Sequence, residues 1–374
     1  MRIKDTNLNY ALNVISRWAV GLVFIFSGFV KGVDPLGTTY KVQEYMTAWS
    51  LGNITFEWAL PLAEALSVAL ICAEFLVGIL LIANAYRRLS AWMLLLMMLF
   101  FTTTTLIDAI TNKVTDCGCF GDAVKLTNWQ TFWKNVALDV PTLWIFLTRN
   151  LRRKRRFERD GIVLIAAVAA MLVFEVYNIK HEPVIDFREW KVGNKMIEER
   201  EAMNHMTMRN MQTGEVRQVS YPNGGWDHVP EEYKNFDVWE ILLSTSDAPY
   251  EVMADGFSMM DLEGEDRALD LLPAEDGLLI VTVHHLDEVS DKGVAEVRRA
   301  MTMAEENELP VVMLTSALPE EVQAWMYAHG IAGLDYYFAD ATAIKAMMRG
   351  NPGFMYVKDA TVVAKGRKVP GVEL

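Results

Sequence analysis

At 374 residues, with 52% hydrophobic and 22% charged side chains, the chain has room for two or three domains; it is too apolar for an ordinary soluble protein and too charged for a bare membrane bundle. Its net charge of −13 is unevenly spread, with 17 Lys and Arg against 13 Asp and Glu in residues 1–179, but 18 against 35 in residues 180–374. So acidic a second half excludes nucleic acid, whose phosphates would repel it, and three cysteines are too few for a disulfide scaffold.

Five apolar segments follow one another in the first half, at 11–30, 58–82, 91–110, 128–148 and 161–177. About 20 apolar residues cross a bilayer core, so the first four are long enough and the fifth is marginally short. None shows the polar face that a helix on the surface of a soluble core would need. The first ends in SGFVKG, with no A-x-A-like cleavage site, and reads as a retained span. Basic residues fall mainly on one side: Arg2, Lys4, Arg87, Arg88 and the loop RNLRRKRRFERDG, against Lys31, Lys41, Lys113, Lys125 and Lys134 opposite. The positive-inside rule then puts the N-terminus in the cytoplasm and everything after the fifth span outside. The fold expected for 1–179 is an all-α membrane bundle of about five spans, embedded in the lipid bilayer.

Between the third and fourth spans, on the outer side, lies TNKVTDCGCFGDAV, with Cys117 and Cys119 flanking Gly118. TNWQ follows it, with Thr127 and Gln130 spaced as a capping box that starts the next helix. Residues i and i+2 reach disulfide distance only in a tight turn, which Gly118 permits. A ring so small would be strained and suited to exchange more than to stapling. Asp116 and Asp122 oppose thiolate formation. Three readings stay open: a redox-active pair, a structural turn or bridge, and a metal pair. The last lacks further ligands, since no histidine occurs in the membrane half. Cys72, inside the second span, reads as a packed small residue. Intramembrane carboxyls are costly and tend to be functional. Glu64 and Glu74 of the second span are expected to face the bundle interior or a polar cavity, as a binding or proton site or as helix-bridging acids. Asp108, Asp139 and Glu175 lie in later spans.

After about 180 the pattern changes. Residues 180–249 read as a β-rich connector, in which VIDFREWKVG is an extended lead-in, MTMRNMQTGEVRQVSYP a hairpin and DVWEILLSTSDAP a strand. Residues 250–374 alternate as an α/β domain. DGFSMMDLEGEDRAL is read as a turn-linked hairpin, GLLIVTVHHL as a fully buried strand, 292–307 as a helix, PVVMLTS as a second buried strand, 319–329 as a helix, LDYYFAD as a third strand and 341–349 as a helix. NPGFMYVKDATVVAKG closes the domain as a proline loop and hairpin. His284 and His285 read as a solvent-facing loop pair rather than metal ligands.

RWAVGLVFIFSGFVKGVDP, CAEFLVGILLIAN and DCGCFGD, within about 15–148, resemble the DoxX-like superfamily and, within it, the MauE-type branch. The resemblance implies a four-helix membrane bundle associated with periplasmic thiol or redox chemistry, including maturation of a disulfide-rich periplasmic enzyme and, in other relatives, quinone-coupled sulfur oxidation. Cys117, Cys119 and Glu74 are the residues it carries over; the fifth span and the acidic tail depart from it. Separately, FSMMDLEG and NPGFMYVKDATVVAKG, in about 250–374, resemble the thioredoxin-like fold, with Pro352 at that family's usually cis loop proline. The family's Cys-x-x-Cys is absent. HHLDEVSD follows LLIVTV, with Glu288 and Asp291 at the aligned positions, and no cysteine occurs after Cys119.

The expectation is thus an inner-membrane protein of a Gram-negative-type envelope with a periplasmic C-terminal domain. In one reading the Cys117/Cys119 pair exchanges disulfides with a periplasmic or membrane client, and a carrier such as a quinone binds near Glu64 or Glu74. In the other the chain is a non-catalytic assembly factor whose cysteine-free domain docks a partner protein.

Overall fold

The computed structural model describes residues 4–51, 54–114, 118–151, 157–200, 202–222, 225–247, 250–254 and 256–371. The chain forms two compact units, Met1–Arg188 and Glu189–Leu374.

The first unit is helical. Helix α1 (Asn7–Val33) starts where the Thr6 side chain accepts from the Asn9 amide. Helix α2 (Pro35–Ala48) follows at once, because Asp34 caps the Gly37 amide and Pro35 fits the first helical position. This helix was not expected from PLGTTYKVQEYMTA, a mixed segment without a long apolar run. Strands β1 (Ser50–Leu51) and β2 (Ile54–Thr55) pair as a short hairpin, and a 3₁₀ turn at Glu57–Leu62 leads into α3 (Ala63–Ile82). Helix α4 (Arg87–Thr111) and helix α5 (Asn128–Leu147) come next; α5 opens with the Thr127/Gln130 capping box that the sequence indicates. Helix α6 (Phe157–Lys180) closes the set.

Among the described residues, four helices are long and apolar enough to cross a membrane: Asn7–Val33, Glu57–Ile82, Arg87–Thr111 and Glu158–Lys180. The fifth expected segment, read as marginally short, is thus long enough as Glu158–Lys180, while the fourth, at 128–148, corresponds to α5, a helix of 20 residues. Its Asn128, Gln130, Lys134, Asn135 and Asp139 make it more polar than the other four.

Helices α1 and α3 touch backbone to backbone. A Cβ on Gly28 would lie 2.8 Å from the Phe75 amide nitrogen, and one on Gly78 would lie 2.8 Å from the Gly21 carbonyl oxygen. Small residues allow this approach where the bilayer offers no hydrophobic drive for helix pairing. On α1, Asn13, Arg17, Val20, Phe24 and Lys31 are buried, and Ser27 is half-buried among them. Their three- and four-residue spacing makes one helix face that is polar at both ends and apolar in the middle.

In the second unit, β3 (Ile197–Glu199) pairs antiparallel with β7 (Tyr250–Val252). Strands β4 (Met203–Asn210), β5 (Val216–Pro222) and β6 (Trp239–Ser246) form an antiparallel sheet in the order β5-β4-β6, around the expected hairpin. The larger sheet contains β8 (Leu278–Val283), β9 (Val311–Thr315), β10 (Asp335–Phe338), β11 (Gly353–Lys358) and β12 (Thr361–Gly366) in the order β10-β9-β8-β11-β12. Strands β8, β9 and β10 are mutually parallel, while β11 runs antiparallel to both β8 and β12. Helix α7 (Ala268–Leu271) precedes β8; α8 (Asp291–Glu306), α9 (Pro319–Ala328) and α10 (Ala341–Met347) form the connections after it.

All six β8 residues are buried. Leu278 and Ile280 enter one core, while Leu279, Val281 and Val283 enter the other, as a central strand covered on both faces requires. The segment expected to be a hairpin at DGFSMMDLEGEDRAL is instead a tight turn closed by a single Met260–Asp266 bridge. The lead-in is drawn into this unit: Trp190 packs against Phe257 at 4.6 Å, and the Gly193 and Met196 amides donate to the Val362 and Ala360 carbonyls.

The close α1–α3 crossing makes Gly28 intolerant of any side chain. Gly28→Val should destabilise the bundle by about 1–3 kcal/mol, read as a lower unfolding temperature of the full chain in detergent. Gly161→Val, where a new Cβ meets only the Tyr86 hydroxyl at 3.8 Å, should change it little.

Candidate functional site

The α1 face and α3 together bring a charged pair into the bundle. Lys31 Nζ lies 2.6 Å from Glu74 Oε1, with the two side chains 8% and 1% exposed. An isolated buried ion is prohibitive; a pair persists only when its remaining valences are also met. Here Ser27, one turn before Lys31, puts its Oγ 2.7 Å from Glu74 Oε2, and Lys31 Nζ also lies 5.6 Å from the centre of the Phe101 ring.

The same Ser27 hydroxyl reaches the cysteine loop, with its Oγ 2.7 Å from the Cys119 carbonyl oxygen. The loop turns tightly there. Gly118 and Gly121 have φ of 59° and 50°, in the left-handed region, and the Gly121 amide donates to the Gly118 carbonyl at 3.1 Å. Phe120 packs on Phe26 at 5.5 Å and under Lys134 at 4.3 Å, so the loop is clamped between α1 and α5. Cys119 is half-buried. Cys117 lies outside the described residues.

A hydroxyl has one hydrogen, and Ser27 faces two acceptors. With Glu74 ionised, it can donate to the carboxylate or to the Cys119 carbonyl. The Ser27 hydroxyl thus stands between the buried pair and the cysteine loop.

Of the sequence-predicted carboxyls, Glu74 belongs to this cluster and Glu64 does not. Glu64 is exposed in the first turn of α3 rather than turned inward, ten residues and about 15 Å along the helix from Glu74. Both Glu74 oxygens are engaged, one by Ser27 and the other by Lys31. Lys31 and Ser27 were not singled out in the sequence. The available signal was a lysine at the apolar end of a span, four residues after a serine on the same helix face.

Cys72 is more than a packed residue. Its Sγ–H donates to Glu175 Oε2 at 3.1 Å, and Glu175 is fully buried with Oε1 lacking a hydrogen-bond partner among the described residues. Asp108 accepts from the Tyr45 hydroxyl of α2 at 2.6 Å, and Asp139 from Thr102 at 3.0 Å. These acids bridge helices.

In the second unit, β8 ends at His284 and His285. Contrary to the expected solvent-facing pair, His284 is 4% exposed and only His285 is exposed. The His284 Nε2 contacts the Met348 carbonyl at 3.0 Å, so Nε2 carries the hydrogen. Asn351, before the cis Pro352 bond, accepts from the His284 amide at 3.0 Å and donates to the His285 carbonyl at 2.8 Å. No group of three metal-ligating side chains occurs among the described residues.

Two outcomes follow from these environments. Removing one member of the buried pair, as in Lys31→Met or Glu74→Gln, should destabilise the bundle by about 3–5 kcal/mol, while Lys31→Met with Glu74→Met should recover much of the loss; thermal unfolding in detergent measures both. For His284, burial and then the Lys345 charge push the pKa from 6.5 down to about 4. The unfolded chain thus takes up the proton first. The stability this neutral ring contributes is complete above about pH 6.5 and is lost as pH falls toward 4, by up to about 3 kcal/mol. Hydrogen exchange of the β8 amides should show this loss, and His284→Gln should flatten it.

Residues 9–148 match the family model of the methylamine utilisation protein MauE. No curated protein and no solved structure matches the chain. The helical bundle that holds Ser27, Lys31, Glu74 and Cys119 is therefore similar to MauE, within a multi-pass membrane protein.

Proposed function

We propose that this chain is a redox component of a bacterial inner membrane, in which Cys117 and Cys119 pass disulfides to a client on the periplasmic side. The observation that carries this reading is the Ser27 hydroxyl shared between the Cys119 carbonyl and the buried Glu74–Lys31 pair. In the exchange, a client dithiol reduces a Cys117–Cys119 disulfide, and the client leaves with the new disulfide. Re-forming the loop disulfide releases two electrons and two protons. A lipid-soluble acceptor of the quinone class would take up both. A buried carboxylate linked through one hydroxyl to the cysteine loop is suited to buffering the proton part of that cycle.

The likeness to MauE supports an accessory role, of the methylamine-utilisation type, in maturing another envelope protein. Five spans with the N-terminus inside, the domain division 1–179, 180–249 and 250–374, and a periplasmic C-terminal domain belong to the same proposal. The sheet order β10-β9-β8-β11-β12 and the proline loop before β11 support a thioredoxin-like domain. Where that fold would hold its thiols, this chain has His284, His285 and the bridging Asn351, and no cysteine. Its part is recognition. That same observation favours a second reading, in which the whole chain is an assembly factor that docks a partner without redox chemistry.

Thiol trapping in membranes separates the two. The redox reading expects a mixture of oxidised and reduced Cys117/Cys119 that shifts with envelope redox poise, and Cys117→Ser should leave Cys119 holding a client in a mixed disulfide. Thiols that stay reduced under oxidising conditions, or a double serine variant that keeps full function in cells, would favour docking.

A further inference from the structure

The other polar end of the α1 face takes no part in that chemistry. Asn13 and Arg17 are 0% and 5% exposed, and with Asn84, Arg87 and Arg149 they line a small cavity that has room for about one oxygen-sized group. Three guanidinium groups converge there, and no Asp or Glu lines the cavity among the described residues. Asp160, brought to this end by α6, pairs with Arg159 and accepts from the Tyr86 amide instead of entering it. Arg17 donates through Nη1 to the neutral Asn84 side chain, and its buried Nε has no hydrogen-bond partner among the described residues. Arg87 donates to Asn13 Oδ1 at 3.3 Å and to the Leu151 carbonyl, while Arg149 donates to the Phe146 carbonyl. A buried guanidinium donor left unmet, as at Arg17, is costly unless an acceptor joins it.

We infer that this cavity binds the phosphate of an anionic phospholipid. A phosphate presents several acceptor oxygens in a geometry that guanidinium forks match, and one oxygen inserted toward Arg17 would fill the space while the half-buried Arg87 and Arg149 hold the others at its mouth. The location selects lipid over a soluble anion. The cavity lies where the α3–α4 turn, the end of α5 and the first half of α1 meet, at one end of the membrane bundle. Trp18, next to Arg17 on α1, and Trp92, two residues after Ser90 on α4, are each 48% exposed, as aromatic residues at the headgroup level are. Ile15, Leu22 and Leu89 of the same two helices are exposed and offer acyl chains apolar surface.

The full chain, purified in a neutral detergent, tests this with three additions: mixed micelles of phosphatidylglycerol, mixed micelles of phosphatidylcholine, and inorganic phosphate. Native mass spectrometry and thermal unfolding should show retained phosphatidylglycerol and a raised unfolding temperature with that lipid only. Arg149→Gln should weaken the lipid's effect about tenfold, as loss of one charge-assisted contact implies, and Arg17→Lys should weaken it further by removing the fork. If Arg17→Lys does not fold, Arg149→Gln carries the comparison. An equal shift with phosphatidylcholine, an equal shift with inorganic phosphate, or a phosphatidylglycerol shift untouched in Arg149→Gln would each overturn the assignment.

Discussion

The first unit depends on placing one ion pair where neither ion could survive alone. Lys31 and Glu74 meet because α1 and α3 approach to backbone contact at glycines, and Ser27 meets the valence of Glu74 that Lys31 leaves open. A buried pair of this kind is weak evidence for stability, since two apolar residues could pack as well. What the pair adds is a chemical position. It fixes Ser27, Ser27 fixes the Cys119 carbonyl, and a loop between two spans becomes part of the bundle's polar interior.

The apolar segments were legible because length and hydropathy alone specify a span. The capping box of α5 was legible because Thr127 and Gln130 stand three apart before an apolar run. Glu74 stood out as a carboxyl amid apolar residues. Its partner did not, because Lys31 at the end of a span reads equally well as a topology charge in water. Only the α1–α3 crossing turns it inward. Helix α2 was hidden for a similar reason: Asp34 and Pro35 start it locally, but PLGTTYKVQEYMTA lacks the periodic apolar face that would announce it. Glu64 was expected to face the interior or a polar cavity because a carboxyl within a span is costly, yet it stands in the exposed first turn of α3. His284 was misread as exposed, because a strand that is buried along its whole length carries its next residue inside with it.

The two units divide chemistry between them. Thiols occur only in the helical unit, which also contains the buried carboxyls that could accompany proton movement. The second unit is acidic and cysteine-free, and its β8 end is closed by an asparagine bridging two backbone positions. With 18 Lys and Arg against 35 Asp and Glu in residues 180–374, any basic partner of this unit would be held in a salt-sensitive way.

In the proposed redox role, the state of the cysteine loop is coupled to Glu74 through Ser27. Infrared difference spectroscopy of the full chain in membranes, oxidised minus reduced, reads this directly. A carboxyl band should change on reduction, vanish in Glu74→Gln and shrink in Ser27→Ala. A difference spectrum without a carboxyl band, or one unchanged in Glu74→Gln, would show that the loop and the buried pair do not communicate.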